Sequence, residues 1–385
     1  MNRHQLSTEH ADLRAAVEEF AREEVAPVIG DYYEREAFPY EIVAKMGRMG
    51  LFGLPFPEEH GGMGGDYFAL CLALEELARV DSSVAITLEA GVSLGAMPIF
   101  RFGTEDQKKA YLPRLTSGEA LGAFGLTEPG GGSDAGATRT TARLEDGQWV
   151  VDGTKSFITN SGTDITALVT VTAVTGRRED GRPEISSILV PAGTPGFSVG
   201  QKYSKVGWNA SDTNELVFED CRVPEANLVG ERGRGYAQFL RILDEGRIAI
   251  AALSVGLAQG CVDESVRYAH ERHAFGSAIG TYQAIQFKIA EMEARAHTAR
   301  LAYYDAASRM LAGEPFKKEA AVAKLVASNA AMDNARDATQ VFGGYGFMND
   351  YPVGRFYRDA KILEVGEGTS EVQKMLIARE LGLPA

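Results

Sequence analysis

The run Ala167-Leu168-Val169-Thr170-Val171-Thr172-Ala173-Val174 decides the fold. β-Branched and small apolar residues alternate there with threonine, a composition that suits a pleated strand. Related short runs flank it: Trp149-Val150-Val151-Asp152-Gly153, Ser187 to Val190, Phe197 to Lys202 and Glu215 to Phe218, each bounded by Gly, Asp, Asn or Pro. Together they mark a β region from about Ala123 to Leu228, either a barrel or a small orthogonal sandwich.

On both sides the period changes to helical. From Ser7 to about Arg114, segments such as Tyr40 to Gly50 and Phe68 to Val80 carry apolar residues three and four apart, broken by turns such as Gly61-Gly62-Met63-Gly64-Gly65. After Gly230, the stretches Tyr236–His270, Tyr282–Leu311 and Lys317–Val341 are long enough for antiparallel bundle helices. The order α, β, α leads us to expect an α+β multidomain chain divided at 1–120, 121–228 and 229–385. A length of 385 residues exceeds what one core usually supports.

Composition narrows the function classes. Fifty-three acidic residues against 39 basic ones leave a net charge of -14, which repels nucleic acid and anionic membrane. Cys71, Cys221 and Cys261 show no metal-ligand spacing and read as core fillers, two in helical patterns and one beside a strand. The six histidines form no HxH or HExxH pattern, so no metal is expected. The first residues read as a capped amphipathic helix without an apolar signal region, and no run of about eighteen apolar residues occurs. A cytoplasmic setting is expected.

Four segments could carry chemistry. In Gly366-Glu367-Gly368-Thr369-Ser370-Glu371 a carboxylate stands between two glycines, and Ser370 with Gln373 has the spacing of a capping box. A ligand can approach such an acid closely, although most Glu residues near a helix start are solvated charges. Phe124 to Gly136 holds five glycines whose N–H groups can meet a flat or anionic ligand, with hydroxyls from Thr127 and Ser133. It lacks the order of a dinucleotide fingerprint or P-loop, and a flexible loop is the plain alternative. Lys155 to Gly162 places Phe157 and Thr159 on one strand face, an aromatic plane and a hydroxyl suited to a ring system or simply a half-buried strand. Gln340 to Phe347 ends a helix in glycines, with Arg355, Arg358 and Asp359 downstream.

In order and spacing, GLTEPGGGSDAGA (125–137), GTKSFITNSG (153–162), ERHAFG (271–276), QVFGGYGF (340–347) with RFYRDAKI (355–362), and EGTSEVQ (367–373) resemble the acyl-CoA dehydrogenase family, nearest its short- and medium-chain bacterial branch. The resemblance implies an N-terminal helical domain, a middle β-barrel and a C-terminal four-helix bundle around FAD. It implies flavin contacts from Phe124, Leu126, Thr127, Gly132, Ser133, Phe157, Ile158 and Thr159. Pyrophosphate and adenosine contacts would come from Arg272, Phe275, Gln283, Gln340, Val341, Gly343 and Gly344, partly in a neighbouring subunit, with Thr369 and Glu371 beside the base. Substrate contacts fall to Ser133, Asp244, Gly246, Arg247, Gly366 and Gly368.

The implied reaction is α,β-dehydrogenation of a short, medium or branched acyl-CoA to the trans-2-enoyl-CoA, with Glu367 taking the α-proton. Electrons would pass to an electron-transfer flavoprotein, and the chain would assemble as a homotetramer, a dimer of dimers. The alternatives are a flavin oxidase that returns electrons to dioxygen, acting on acyl-CoA or, less compatibly with a glutamate at 367, on nitroalkanes, and a non-catalytic flavin- or CoA-binding homologue. Gly246 stands where a subgroup carries its base on a helix, which leaves Glu367 as the candidate. Gly366 stands where tyrosine is frequent, so the pocket should be roomier; Phe157 replaces a tryptophan and Asn209 an arginine.

Overall fold

The computed structural model describes residues 6–384 of the chain. The first third is helical: α1 (Thr8–Phe20), α2 (Ile29–Glu34), α3 (Tyr40–Arg48), α4 (Tyr67–Val80), α5 (Ser82–Glu89), α6 (Met97–Phe102) and α7 (Glu105–Thr116). Side-chain caps set several of the starts. Ser7 accepts the N–H of His10, Asp66 that of Ala69, and Asp81 those of Ser83 and Val84, while Thr104 and Gln107 close a capping box. Between α5 and α6 the backbone widens into a π-helical turn, Ala90–Ala96.

The middle region is a sheet of β1 (Leu121–Gly125), β2 (Thr141–Glu145), β3 (Gln148–Thr159), β4 (Thr166–Arg177), β5 (Pro183–Pro191), β6 (Phe197–Lys202), β7 (Thr213–Pro224) and β8 (Leu228–Val229). The strand run that opened the sequence reading lies in β4, at the sheet's centre: β5 pairs antiparallel along one edge, while β1 and then β2 pair parallel along the other. The spatial order β6-β7-β3-β2-β4-β5-β8 leaves β6 and β8 as open ends. Trp149, Val151, Val171, Ile188, Leu216 and Phe218 point into one enclosed core of this barrel-like sheet.

The last third consists of α8 (Gly235–Glu271), a small hairpin β9 (His273–Ala274) and β10 (Ser277–Ala278), then α9 (Gln283–Leu311), α10 (Lys317–Phe342), α11 (Pro352–Leu363) and α12 (Ser370–Glu380). At 37 residues, α8 is about 55 Å long. It packs against α4, α9 and α10. The crossing with α4 depends on Gly256, where a Cβ would stand 2.1 Å from the Glu75 carbonyl oxygen. N-terminal helices and C-terminal bundle therefore share one apolar core, running from Val17 through Leu74 and Leu253 to Leu363 and taking in Leu121, Phe124, Leu168 and Leu189 of the sheet, which encloses a second core of its own.

Two helical stretches, Ser82–Phe102 and Gly235–Glu271, are long and apolar enough to cross a membrane by length and composition, but their apolar windows are 89% and 83% buried inside the protein. That burial explains their composition as core. All three cysteines are buried free thiols; Cys221 sits within β7, not beside a strand as expected.

Candidate active site

Glu367 lies in the turn joining α11 to α12, with left-handed φ of 51°. Gly368 follows at φ 93°, and the strain of a non-glycine residue in this region is concentrated on the acid itself. The helix start differs from the expected capping box. Thr369 is the cap, its hydroxyl accepting the Val372 N–H at 3.3 Å, and Ser370 is already helical. Gln373 instead donates its side-chain N–H to the Gly368 carbonyl at 2.9 Å, tying α12 to the turn behind the acid.

The Glu367 side chain runs over α8 at Gly246. A Cβ at that glycine would lie 2.5 Å from Glu367 Oε2, so any larger residue there would displace the carboxylate from this position. Both carboxylate oxygens are shielded from solvent and without a hydrogen-bond partner. Burial raises the pKa to about 7, against the pull of Arg247 and Lys324, which favour the ionised form. Arg247 is itself buried and paired with Asp244, and its Nε has no partner. Lys324 is fully buried, donates to the Gly368 carbonyl at 2.8 Å, and is pushed down to about 8 by burial. The Glu367 N–H makes no hydrogen bond among the described residues. Beside the acid, a Cβ on Gly366 would meet only Ile362, at 3.4 and 3.8 Å, so the glycine leaves usable space.

The glycine run is held in place rather than flexible. Glu128 accepts the N–H groups of Arg139 and Thr140 at 2.7 and 3.0 Å and the Lys155 ammonium at 2.7 Å, so its own loop is pinned to β3. Within this segment Phe124 is buried, stacked on Phe239 of α8 with ring centroids 3.4 Å apart. Leu126 and Thr127 are half-buried, while Gly132 and Ser133 are exposed. On β3 a bulge sets Ser156 and Phe157 between the pairs Lys155↔Leu216 and Ile158↔Asn214, and Phe157 takes φ 62°. Its ring is 63% exposed and lies 4.9 Å from that of Tyr203. Thr159 stays half-buried, but the Ile158 side chain turns into the sheet core, leaving only its backbone for a ligand.

A third set gathers where α8 and α10 end. Arg272 stands 5.8 Å over the Tyr345 ring, Gln340 is exposed, Val341 is buried, and Gly343 and Gly344 have open space where a Cβ would be. Gln283, at the start of α9, is exposed, and Phe275 is 98% exposed. Glu371 is exposed on the first turn of α12.

Two buried groups of this site escaped the sequence reading, Glu89 at the end of α5 and Lys324 on α10. The available signal was a lone acid or base inside an apolar or alanine-rich helical run, Val84-Ala85-Ile86-Thr87-Leu88-Glu89 and Ala320 to Leu325.

Helical ends enclosing a central sheet, with a buried carboxylate facing the longest helix, define a three-domain enzyme class. The models of the acyl-CoA dehydrogenase N-terminal, middle and C-terminal domains match residues 7–119, 123–221 and 233–382, and the chain belongs to this family. It is 48% identical to "Probable acyl-CoA dehydrogenase YngJ" of Bacillus subtilis (strain 168), over 98% of this chain and 99% of that protein. The short-chain specific acyl-CoA dehydrogenase of Clostridium acetobutylicum is 44% identical over 98% of both. Acryloyl-CoA reductase (NADH) of Anaerotignum propionicum is 43% identical over 98% of this chain and 95% of that one. The structure of butyryl-CoA dehydrogenase from Megasphaera elsdenii superposes with a TM-score of 0.94 at 40% identity, covering 98% of this chain and 99% of the other.

The chain is thus an FAD-dependent oxidoreductase acting on the CH–CH group of acyl-CoA. Its residues fit the cofactor: an exposed aromatic plane at Phe157, exposed glycine backbone at Gly132, and open backbone at Gly343 and Gly344 suit a ring system and a pyrophosphate.

Proposed function

We propose that Glu367 is the catalytic base that removes the α-proton of a short, medium or branched acyl thioester. The observation that carries this is its carboxylate, buried and unpartnered against Gly246. A carboxylate poised near 7 is matched to proton transfer at neutral pH. The free N–H of Glu367 is available to the thioester carbonyl, where it would stabilise the charge that develops as the proton leaves. Bound FAD supplies the hydride acceptor for the β-hydrogen. Phe124, Leu126, Thr127, Gly132, Ser133 and Phe157 to Thr159 would hold its ring end. Arg272, Phe275, Gln283, Gln340, Val341, Gly343 and Gly344 would hold its pyrophosphate and adenosine, with Thr369 and Glu371 close to the base. Ser133, Asp244, Arg247 and Gly368 would position the thioester arm, and Gly246 and Gly366 give the acid and the acyl group space.

The exposed rings of Phe275, Phe287 and Phe347 in the C-terminal third support a homotetramer in which neighbours cover one another's cofactor edge. Division of the chain near 120 and 228, an electron-transfer flavoprotein as acceptor and a cytoplasmic setting complete the reading. A relative 43% identical carries the name acryloyl-CoA reductase (NADH), which supports reading the direction of reaction as set by the electron partner.

Anaerobic titration of the FAD-loaded protein with an acyl-CoA panel tests this reading. Wild type should lose its flavin colour with short or branched acyl-CoAs, and Glu367→Gln should not. Unchanged reduction in Glu367→Gln would refute the base assignment, and hydrogen peroxide at each turnover would favour the oxidase.

A further inference from the structure

Glu89 ends α5 at zero exposure, and the π-helical turn Ala90–Ala96 begins at the next residue. Neither of its carboxylate oxygens has a hydrogen-bond partner of good geometry, and the same holds for Glu367. Yet the two side chains interact, each perturbing the other's titration. Two carboxyl groups from the first and last thirds of the chain thus meet in one solvent-shielded space. A buried pair of this kind cannot hold two negative charges without large cost, so one member keeps its proton and can give it to the other as a hydrogen bond. The turn at Ala90–Ala96 is packed tightly on β1: Gly95 in it abuts Gly122, where a Cβ would fall 2.5 Å from the Gly122 carbonyl oxygen. π-Turns of this sort recur at functional sites.

We propose that Glu89 is a positioning residue for the reaction, a neutral carboxylic acid that donates a hydrogen bond to the Glu367 carboxylate and so orients the base. This rests on Glu367 being the base.

The surrounding charges assign the roles within the pair. Glu367 faces Arg247 from α8 and Lys324 from α10, which both favour its ionised form. Glu89 is pushed up by burial and then by the charge of Glu367, with only Ser93 favouring ionisation. The other titratable groups that sense Glu89 are Tyr67 and Cys71 of α4, both held neutral by burial. Glu245 also acts on Tyr67, but it is paired with Arg101 at 3.1 Å. The negative charge therefore belongs on Glu367 and the proton on Glu89. An apolar side chain at 89 would remove the donor and leave Glu367 a buried carboxylate with less support, so its proton would leave at higher pH. Glutamine keeps an N–H donor in nearly the same place.

The test uses FAD-loaded wild type, Glu89→Gln and Glu89→Leu, with flavin reduction followed by stopped flow across pH using the best acyl-CoA of the panel. The acidic limb should move up by about one pH unit or more in Glu89→Leu, a roughly tenfold loss of rate below neutrality. In Glu89→Gln it should stay near that of wild type. Infrared difference spectra at pH 9, where Glu367 is ionised, should show a protonated carboxylic C=O band that disappears in Glu89→Gln and remains in Glu367→Gln. An unshifted limb in Glu89→Leu overturns the proposal, as does a band that persists in Glu89→Gln. Should Glu89→Leu fail to fold, the infrared result with the near-isosteric glutamine decides alone. Failure of the base assignment shows separately, as flavin reduction surviving in Glu367→Gln.

Discussion

At the scale of single residues, the site is organised by what glycine permits and by what burial does to charge. Gly246→Ala should drive a methyl group into the Glu367 carboxylate and lower kcat at least about 100-fold, because small displacements of a catalytic group are that costly. Steady-state turnover with the preferred acyl-CoA measures it. Burial of Glu367 also has a stability consequence whose sign follows from its pKa. The folded value, about 7, exceeds the unfolded one near 4.5, so the contribution is most favourable below 4.5 and is lost as pH rises through 7. Glu367→Gln should therefore gain stability over wild type at pH 8, by about 2–3 kcal/mol, and much less at pH 5. Urea unfolding of both FAD-loaded proteins at the two pH values reads this difference. Glu367 was legible from its flanking glycines and its motif, whereas Glu89 was not. An acid in an apolar run looks the same in sequence whether it reaches solvent or a second carboxylate.

At the scale of elements, periodicity located the long helices to within a residue or two: Tyr236–His270 was expected and Gly235–Glu271 observed, Lys317–Val341 expected and Lys317–Phe342 observed. Finer features depend on backbone irregularities that propensity does not encode. The bulge at Ser156–Phe157, which exposes the phenylalanine ring, arises because β3 is one residue longer than β7 there. The cap at Thr369 wins over Ser370 because the turn after Glu367 leaves Thr369 extended and Ser370 helical. Thr369→Ala should destabilise the protein by about 1 kcal/mol through loss of that cap, visible as a lowered Tm. The gap beside Gly366 belongs to this scale too. Gly366→Tyr should fill it and lower kcat/KM for branched acyl-CoAs far more than for butyryl-CoA; equal losses for both would show that position 366 does not shape the pocket.

At the scale of the molecule, three regions by sequence become two cores in space. Alternating helical and strand periods announce the α, β, α order, but helices separated by more than a hundred residues merge around α4 and α8. The loop between β6 and β7 is tied to this shared core by Asp359 of α11, which accepts from the Tyr33 hydroxyl at 2.6 Å, the Ser82 hydroxyl at 2.8 Å and the Trp208 N–H at 2.7 Å. Burial raises its pKa to about 6. Asp359→Ala leaves all three donors unsatisfied and should cost about 3 kcal/mol or more, measured by chemical unfolding. Sedimentation of the FAD-loaded protein should give a tetramer; a loaded monomer would contradict sharing of the cofactor edge between subunits.

The sequence by itself determined the order of elements, the strand region built around β4, and the short motifs that carry the family, because periodicity and local turn chemistry act between residues close along the chain. Only the tertiary structure decided that Glu89, Gly246, Lys324 and Glu367 meet. Their charges are set by desolvation and mutual Coulomb forces, which exist only once residues from four distant segments have excluded water from the space between them.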